Sequence, residues 1–190
     1  MTRARLSLVM LIAIVLGACA PETLTGTDLG VQPAPDFTLT DGLSGSPLRL
    51  SSLRPHAVAL AFLYTHCPDT CPLTAEEFRQ TQQKLGADAS KVVFLAVSVD
   101  PVGDTPESVR TFTKEHHLST NWHYLIGSPV ELQGVWTKYA VRGGLDATGH
   151  VVHSDAIYLI DGKGNERVLL HSDSGVDAMT TDLRLLAQGR

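Results

Sequence analysis

Residues 58–77 read Val58-Ala59-Leu60-Ala61-Phe62-Leu63-Tyr64-Thr65-His66-Cys67-Pro68-Asp69-Thr70-Cys71-Pro72-Leu73-Thr74-Ala75-Glu76-Glu77. The first seven form a near-continuous apolar run, the pattern of a strand buried on both faces. Thr74-Ala75-Glu76-Glu77 has the spacing of a capping box and predicts a helix that opens there and ends near Gly86. Between strand and helix stand two cysteines, each followed by proline. A cysteine pair at such a junction can close a disulfide, hold a soft metal, or be incidental.

Outward from this stretch, residues 92–99 form a second apolar run, again a buried strand. Asp104-Thr105-Pro106-Glu107 supplies an N-cap, a first-turn proline and an acid, predicting a helix through about His117. A short strand is expected at 122–126, and a helix opens at Pro129. The loop 142–149 then leads to a third long strand at 151–160. The turn Asp161-Gly162-Lys163-Gly164, a strand at 166–170 and a helix at 176–187 complete the chain. Upstream, residues 37–39 and 46–50 flank Asp41-Gly42 as a hairpin. Alternating strands and helices followed by a terminal hairpin and helix predict an α/β fold: a thioredoxin-like mixed sheet flanked by helices on both faces, with an N-terminal hairpin.

The 190 residues have room for one domain with a real core. Arg3 and Arg5, the apolar residues 6–16 and Leu16-Gly17-Ala18-Cys19 read as an export signal that ends in a lipobox-like motif. Residues 1–18 are expected to be a lipoprotein signal peptide, with Cys19 as the lipidated N-terminus. Residues 19–34, rich in Pro, Thr, Gly and Asp, are expected to be a flexible tether to a bacterial membrane, on its periplasmic or exterior side. Residues 35–190 are the folded domain. Without the leader, thirteen basic residues face twenty acidic ones, a formal charge of −7. No basic patch is present, which argues against nucleic acid as a partner.

With Cys19 assigned to lipid, Cys67 and Cys71 remain as the free pair, in a compartment where disulfides persist. A staple across so short a loop would add little through chain entropy, so stability does not explain it. If residues 67–71 are helical, the two cysteines share a face with Cβ atoms about 5–6 Å apart. A helix N-terminus favours the thiolate, which is both nucleophile and ligand. Two thiolates with one imidazole make a soft site suited to copper, whereas structural zinc normally takes four ligands. Of the histidines, His56, His116, His117 and His171 read as surface, His123 as core or edge, and His66 as pointing away from the sulfurs. His150 and His153 remain as candidates.

Thr65-His66-Cys67-Pro68-Asp69-Thr70-Cys71-Pro72 resembles the Thr-x-Cys-Pro-Asp-x-Cys-Pro motif of the Sco/SenC family. So do Ser98-Val99-Asp100-Pro101 with Asp104-Thr105-Pro106, and His153-Ser154 with Tyr158-Leu159-Ile160, in the family's order. The match runs from about Pro35 to the C-terminus. The resemblance implies a membrane-tethered thioredoxin-like protein that binds copper, as Cu(I) or Cu(II), through Cys67, Cys71 and His153. It further implies delivery to the CuA site of cytochrome c oxidase subunit II or another cuproprotein, in exchange with other copper chaperones and thioredoxin-like reductants. The alternative is a thiol-disulfide oxidoreductase in which Cys67 and Cys71 are the redox-active pair, reducing the CuA cysteines or other exported thiols. Two positions depart from the family pattern: Gly103, where many relatives carry a charge, and Val152, where an acid often precedes the histidine. Asp69 is expected to hold the loop or meet a partner rather than bind metal.

Two further readings compete. Residues 35–39, Pro-Asp-Phe-Thr-Leu, also open peroxiredoxins, but those place a threonine three residues before the reactive cysteine, and here the positions are Tyr64 and Pro68. An extracytoplasmic binding domain with an incidental disulfide leaves the three motifs unexplained.

Overall fold

The computed structural model describes residues 23–118, 121–147 and 150–189. Its strands are β1 (Thr27–Pro33), β2 (Thr38–Asp41), β3 (Pro47–Arg49), β4 (Ala57–Leu63), β5 (Val92–Ser98), β6 (Trp122–Ile126), β7 (Ile157–Ile160) and β8 (Asn165–Leu170). The helices are α1 (Thr70–Leu85), α2 (Pro106–Glu115), α3 (Pro129–Lys138) and α4 (Val176–Ala187). All eight strands join one sheet in the order β1-β8-β7-β4-β5-β6-β2-β3. β4, β5 and β6 run parallel, and the other pairings are antiparallel.

The two apolar runs become the central strands because both of their faces are covered. Alternation sends Ala57, Ala59, Ala61 and Leu63 to one side, where they pack with Phe78 of α1, Phe112 of α2 and Leu183 of α4. Val58, Leu60 and Phe62 face the other side, against Leu132, Val135 and Trp136 of α3 and the hairpin residues Phe37 and Leu39. The helices therefore lie on both faces, and β2 pairs with β3 as the expected hairpin.

Three expectations change. First, residues 27–33 are an edge strand rather than part of a tether. β1 pairs with β8, and Asp182 of α4 accepts hydrogen bonds from the Thr25 N–H (2.7 Å), the Thr25 hydroxyl (3.0 Å) and the Gly26 N–H (3.0 Å). The segment has no apolar period because it is held through its backbone. Second, α1 begins at Thr70, not Thr74; the Thr74 hydroxyl donates to the Thr70 carbonyl at 3.2 Å, as an interior helical residue does. Third, the strand expected at 151–160 is confined to β7. Val152 N–H donates to Gly144 O (2.9 Å) and Ser154 N–H to Arg142 O (3.2 Å), so residues 151–156 follow the preceding loop instead of the sheet. The expected signal peptide and Cys19 lie outside the described residues. Among the described residues no helix is long and apolar enough to cross a membrane.

Candidate metal centre

The centre lies past the carboxyl ends of β4 and β5, where parallel sheets habitually bind their ligands. β4 ends at Leu63, and the chain turns so that Cys67 N–H donates to Tyr64 O at 3.3 Å. Asp69 is the N-cap of α1, at φ −132° and ψ −95°, yet its side chain makes no capping bond. Cys71 is the second helical residue, and its N–H donates to Cys67 Sγ at 3.4 Å. The two cysteines thus do not share a helical face as supposed. One stands before the helix and the other in its first turn, and both are buried, as free thiols.

His153 arrives from the irregular segment ahead of β7. Its Nε2 lies 3.3 Å from Thr70 Oγ1, and its Nδ1 lies 3.4 Å from the Ser154 carbonyl. The Tyr64 ring packs edge-on against the imidazole, with centroids 5.5 Å apart. One nitrogen of His153 and the sulfurs of Cys67 and Cys71 all lie within 4.8 Å of one another. An ion bound about 2.2 Å from each of three such donors would hold them ~3.8 Å apart, so closing on a metal takes movements of roughly 1 Å. His150, the competing candidate, is exposed, and the cluster does not include it. His66 is also exposed, with its ring 3.1 Å from the Thr65 hydroxyl.

The two thiols are not equivalent. Burial opposes the Cys67 thiolate, but the Cys71 thiol, the N–H groups of Asp69 and Cys71 and the Tyr64 hydroxyl outweigh it, and its pKa falls below that of an ordinary thiol. Burial dominates at Cys71, and with Cys67 and Asp104 close by, its pKa rises well above the ordinary value. Tyr64 is pushed up to about 12, by burial first and then by its bond to Cys67. Cys67 is therefore the more readily ionised of the two, and a metal that takes both sulfurs has to displace the proton of Cys71. The donors, two sulfurs and an imidazole, fit a soft ion.

Tyr64, Thr70 and Asp104 were not singled out in the sequence as parts of a site. Tyr64 is the polar end of an otherwise apolar run, and Asp104 sits in a stretch that also reads as a helix cap. Of the two departures from the family pattern, Val152 is exposed beside His153. Gly103 N–H donates to Asp100 Oδ1 at 2.9 Å, and a Cβ there would meet Asp100 Oδ2 at 2.1 Å, so a side chain would require that carboxylate to move.

A family model described as SCO1/SenC matches residues 27–188. The SCO1 protein homolog of Bacillus subtilis is 29% identical over 160 residues, covering 80% of this chain and 81% of its own. Among solved structures, Bradyrhizobium japonicum ScoI with copper bound matches with a TM-score of 0.70 at 29% identity, over 81% of this chain and 99% of that one. BsSco, described as a member of the Sco family of cytochrome c oxidase assembly proteins with a disulfide switch, matches in fold with a TM-score of 0.70 at 24% identity, over 84% of this chain and 96% of its own.

Proposed function

The chain belongs to the SCO1/SenC family, and on that premise we propose that it is a membrane-tethered, extracytoplasmic copper carrier that supplies the CuA site of cytochrome c oxidase subunit II. Copper(I) is held by Cys67, Cys71 and His153. The observation that carries this reading is the convergence of those three soft donors within 4.8 Å, from segments as distant in sequence as the β4–α1 junction and the approach to β7. A dithiol built only for redox work needs no imidazole there. The copper-bound relative supports the choice of ion.

Residues 1–18 are the leader in this reading, and Cys19 carries the lipid. Five residues separate Cys19 from Thr25, which is pinned to Asp182, so at most ~20 Å of chain links lipid to body. The strand registers align Thr27 with Leu169, Leu169 with Tyr158 and Tyr158 with Leu60. β1 therefore begins on the side of the sheet toward the end of β4 that bears the cysteines. That suits transfer to a client at the membrane surface.

In a deletion strain, oxidase activity is expected to fall and to recover with added copper. An unaffected oxidase overturns the assembly role. Recovery with a reductant alone favours the second reading, thiol-disulfide exchange, which the unequal cysteines support. In that reaction the Cys67 thiolate attacks a client disulfide and forms a mixed disulfide, releasing one client thiolate. Cys71 then gives up its proton and attacks Cys67, which releases the second thiolate and leaves Cys67–Cys71 oxidised.

A further inference from the structure

Asp104 is buried, 6% exposed, and among the described residues every hydrogen bond its carboxylate makes is to a neutral group. Oδ1 accepts the Thr65 N–H at 2.8 Å and the Thr65 hydroxyl at 2.7 Å. Oδ2 accepts the Ser98 hydroxyl at 2.6 Å and the Tyr124 hydroxyl at 2.8 Å. Thr65 follows β4, Ser98 ends β5 and Tyr124 lies in β6, so one carboxylate joins the three parallel strands directly beneath the cysteine loop. Its own segment is fixed as well: Asp104 N–H donates to Asp100 O at 3.0 Å, and Asp100 N–H donates to the Ser98 hydroxyl at 3.1 Å.

A buried carboxylate with no cation paired to it among the described residues is a costly way to join strands, since neutral donors only partly replace its hydration. Apolar residues of similar volume would stabilise three strand ends at lower cost, so the arrangement points to a role beyond stability. Thr65 shows what that role is. Both of its donors are taken by one oxygen, which fixes its backbone and its side chain together. Two residues later stands Cys67, whose sulfur caps α1 through Cys71 N–H. Cys71 is held by the helix and His153 by its loop and Thr70, whereas Cys67 depends on the short turn that starts at Thr65.

We propose that Asp104 is a positioning residue that holds the Cys67 turn in its metal-ready arrangement before any metal arrives, acting through Thr65. Its copper consequence rests on the copper-carrier reading above; its effect on the turn does not. The experiment compares Asp104→Ala, Asp104→Asn, Thr65→Val and Val109→Ala, the last a buried α2 variant outside this network that serves as a stability control. Two quantities are measured on each reduced protein: copper(I) affinity by competition with a chromophoric chelator, and amide hydrogen exchange of residues 65–67 relative to β5. Loss of a supporting partner typically weakens metal binding by about 10–100-fold, and that is the loss expected for Asp104→Ala. Asp104→Asn, which keeps an oxygen for the Thr65 N–H, is expected to recover most of the affinity, and Thr65→Val to lose less than Asp104→Ala. Exchange at 65–67 rises selectively in Asp104→Ala and stays at the β5 level in Val109→Ala. Should Asp104→Ala fail to fold, the graded pair Thr65→Val and Asp104→Asn carries the same test. The proposal is overturned if the turn stays protected in the Asp104 and Thr65 variants, or if Val109→Ala reproduces both effects. A wild-type protein that binds no copper(I) refutes the copper reading alone, and the exchange measurement still decides the role of Asp104.

Discussion

The helices that begin at Thr70 and at Pro129 start in opposite ways. α3 has a complete capping box: Ser128 Oγ accepts the Glu131 N–H at 3.4 Å, Glu131 accepts the Ser128 N–H at 2.8 Å, and Pro129 occupies the first turn. α2 repeats the scheme with Thr105 and Ser108. At α1 the N-cap side chain, Asp69, makes no capping bond; the acceptor at its first turn is Cys67 Sγ, which takes the Cys71 N–H. Where α2 and α3 spend their N-termini on stability, α1 gives part of its N-terminus to a sulfur that can also act as a ligand or nucleophile. The same amide that caps the helix favours the thiolate.

The sharpest test of this contrast replaces the sulfur. Cys67→Ala and Cys71→Ala are expected to abolish copper(I) binding in a chelator competition, and His153→Ala to weaken it by about 100-fold, or ~2.7 kcal/mol. His150→Ala is the matched control, and an unchanged affinity in His153→Ala would sink the ligand assignment. Cys67→Ser separates cap from ligand: it loses copper like the alanine variant, while its hydroxyl still accepts the Cys71 N–H. In urea unfolding of the metal-free protein, Cys67→Ala should therefore be less stable than Cys67→Ser, by roughly 1 kcal/mol.

Next in size are the conventional caps. Thr105→Ala and Ser128→Ala are each expected to cost about 1 kcal/mol of unfolding free energy with copper affinity unchanged. Asp69→Ala, at a cap position whose side chain bonds no helix amide, should stay within ~0.5 kcal/mol of wild type. An Asp69 variant as damaging as Ser128→Ala would show that α1 is capped like its neighbours.

The smallest effect concerns two glutamates in similar local sequence. Glu131, inside a real capping box, is held below the usual carboxylate range by its bonds to Ser128. Glu77 ends the stretch that only looks like one: burial, with Asp155 and Asp173 nearby, pushes it up to about 7, and its Oε2 is buried without a hydrogen-bond partner among the described residues. The folded chain holds the Glu77 proton more tightly than the unfolded chain, so this residue lowers stability as pH rises from its ordinary value near 4.5 through about 7. Glu77→Gln should flatten that slope and stabilise the protein at pH 8, by no more than about 1 kcal/mol because water still screens a half-exposed group. Parallel stability–pH curves for the two proteins would refute the assignment.

The capping contrast also explains which parts of the fold could be read in advance. The caps at Thr105 and Ser128 are local, made by residues three apart, so the starts of α2 and α3 follow from short windows of sequence. The true start of α1 depends on a sulfur outside the helix, and the Thr74–Glu77 pattern lies in its interior. β1 escaped notice for a related reason: its side chains are nearly all exposed, and it is held by backbone pairing to β8 and by Asp182, far along the chain. Residues 151–156 look strand-like in composition, but hydrogen bonds to the 142–144 loop pull them out of the sheet and carry His153 to the cysteines.

The sequence alone determined the central pair of strands, because seven consecutive apolar residues in β4 and six in β5 leave no face for water, and it identified the two cysteines, because their spacing and proline neighbours are local facts. The three ligand candidates were nameable through motifs. Only the tertiary structure decided that Cys67 and Cys71 differ in burial and proton affinity, that His153 rather than His150 meets them, and that Asp104 lies beneath their turn. These depend on segments that strand pairing brings together across dozens of residues, β7 antiparallel to β4 for His153 and β5 and β6 parallel to it for Asp104, and local pattern holds no record of that distance.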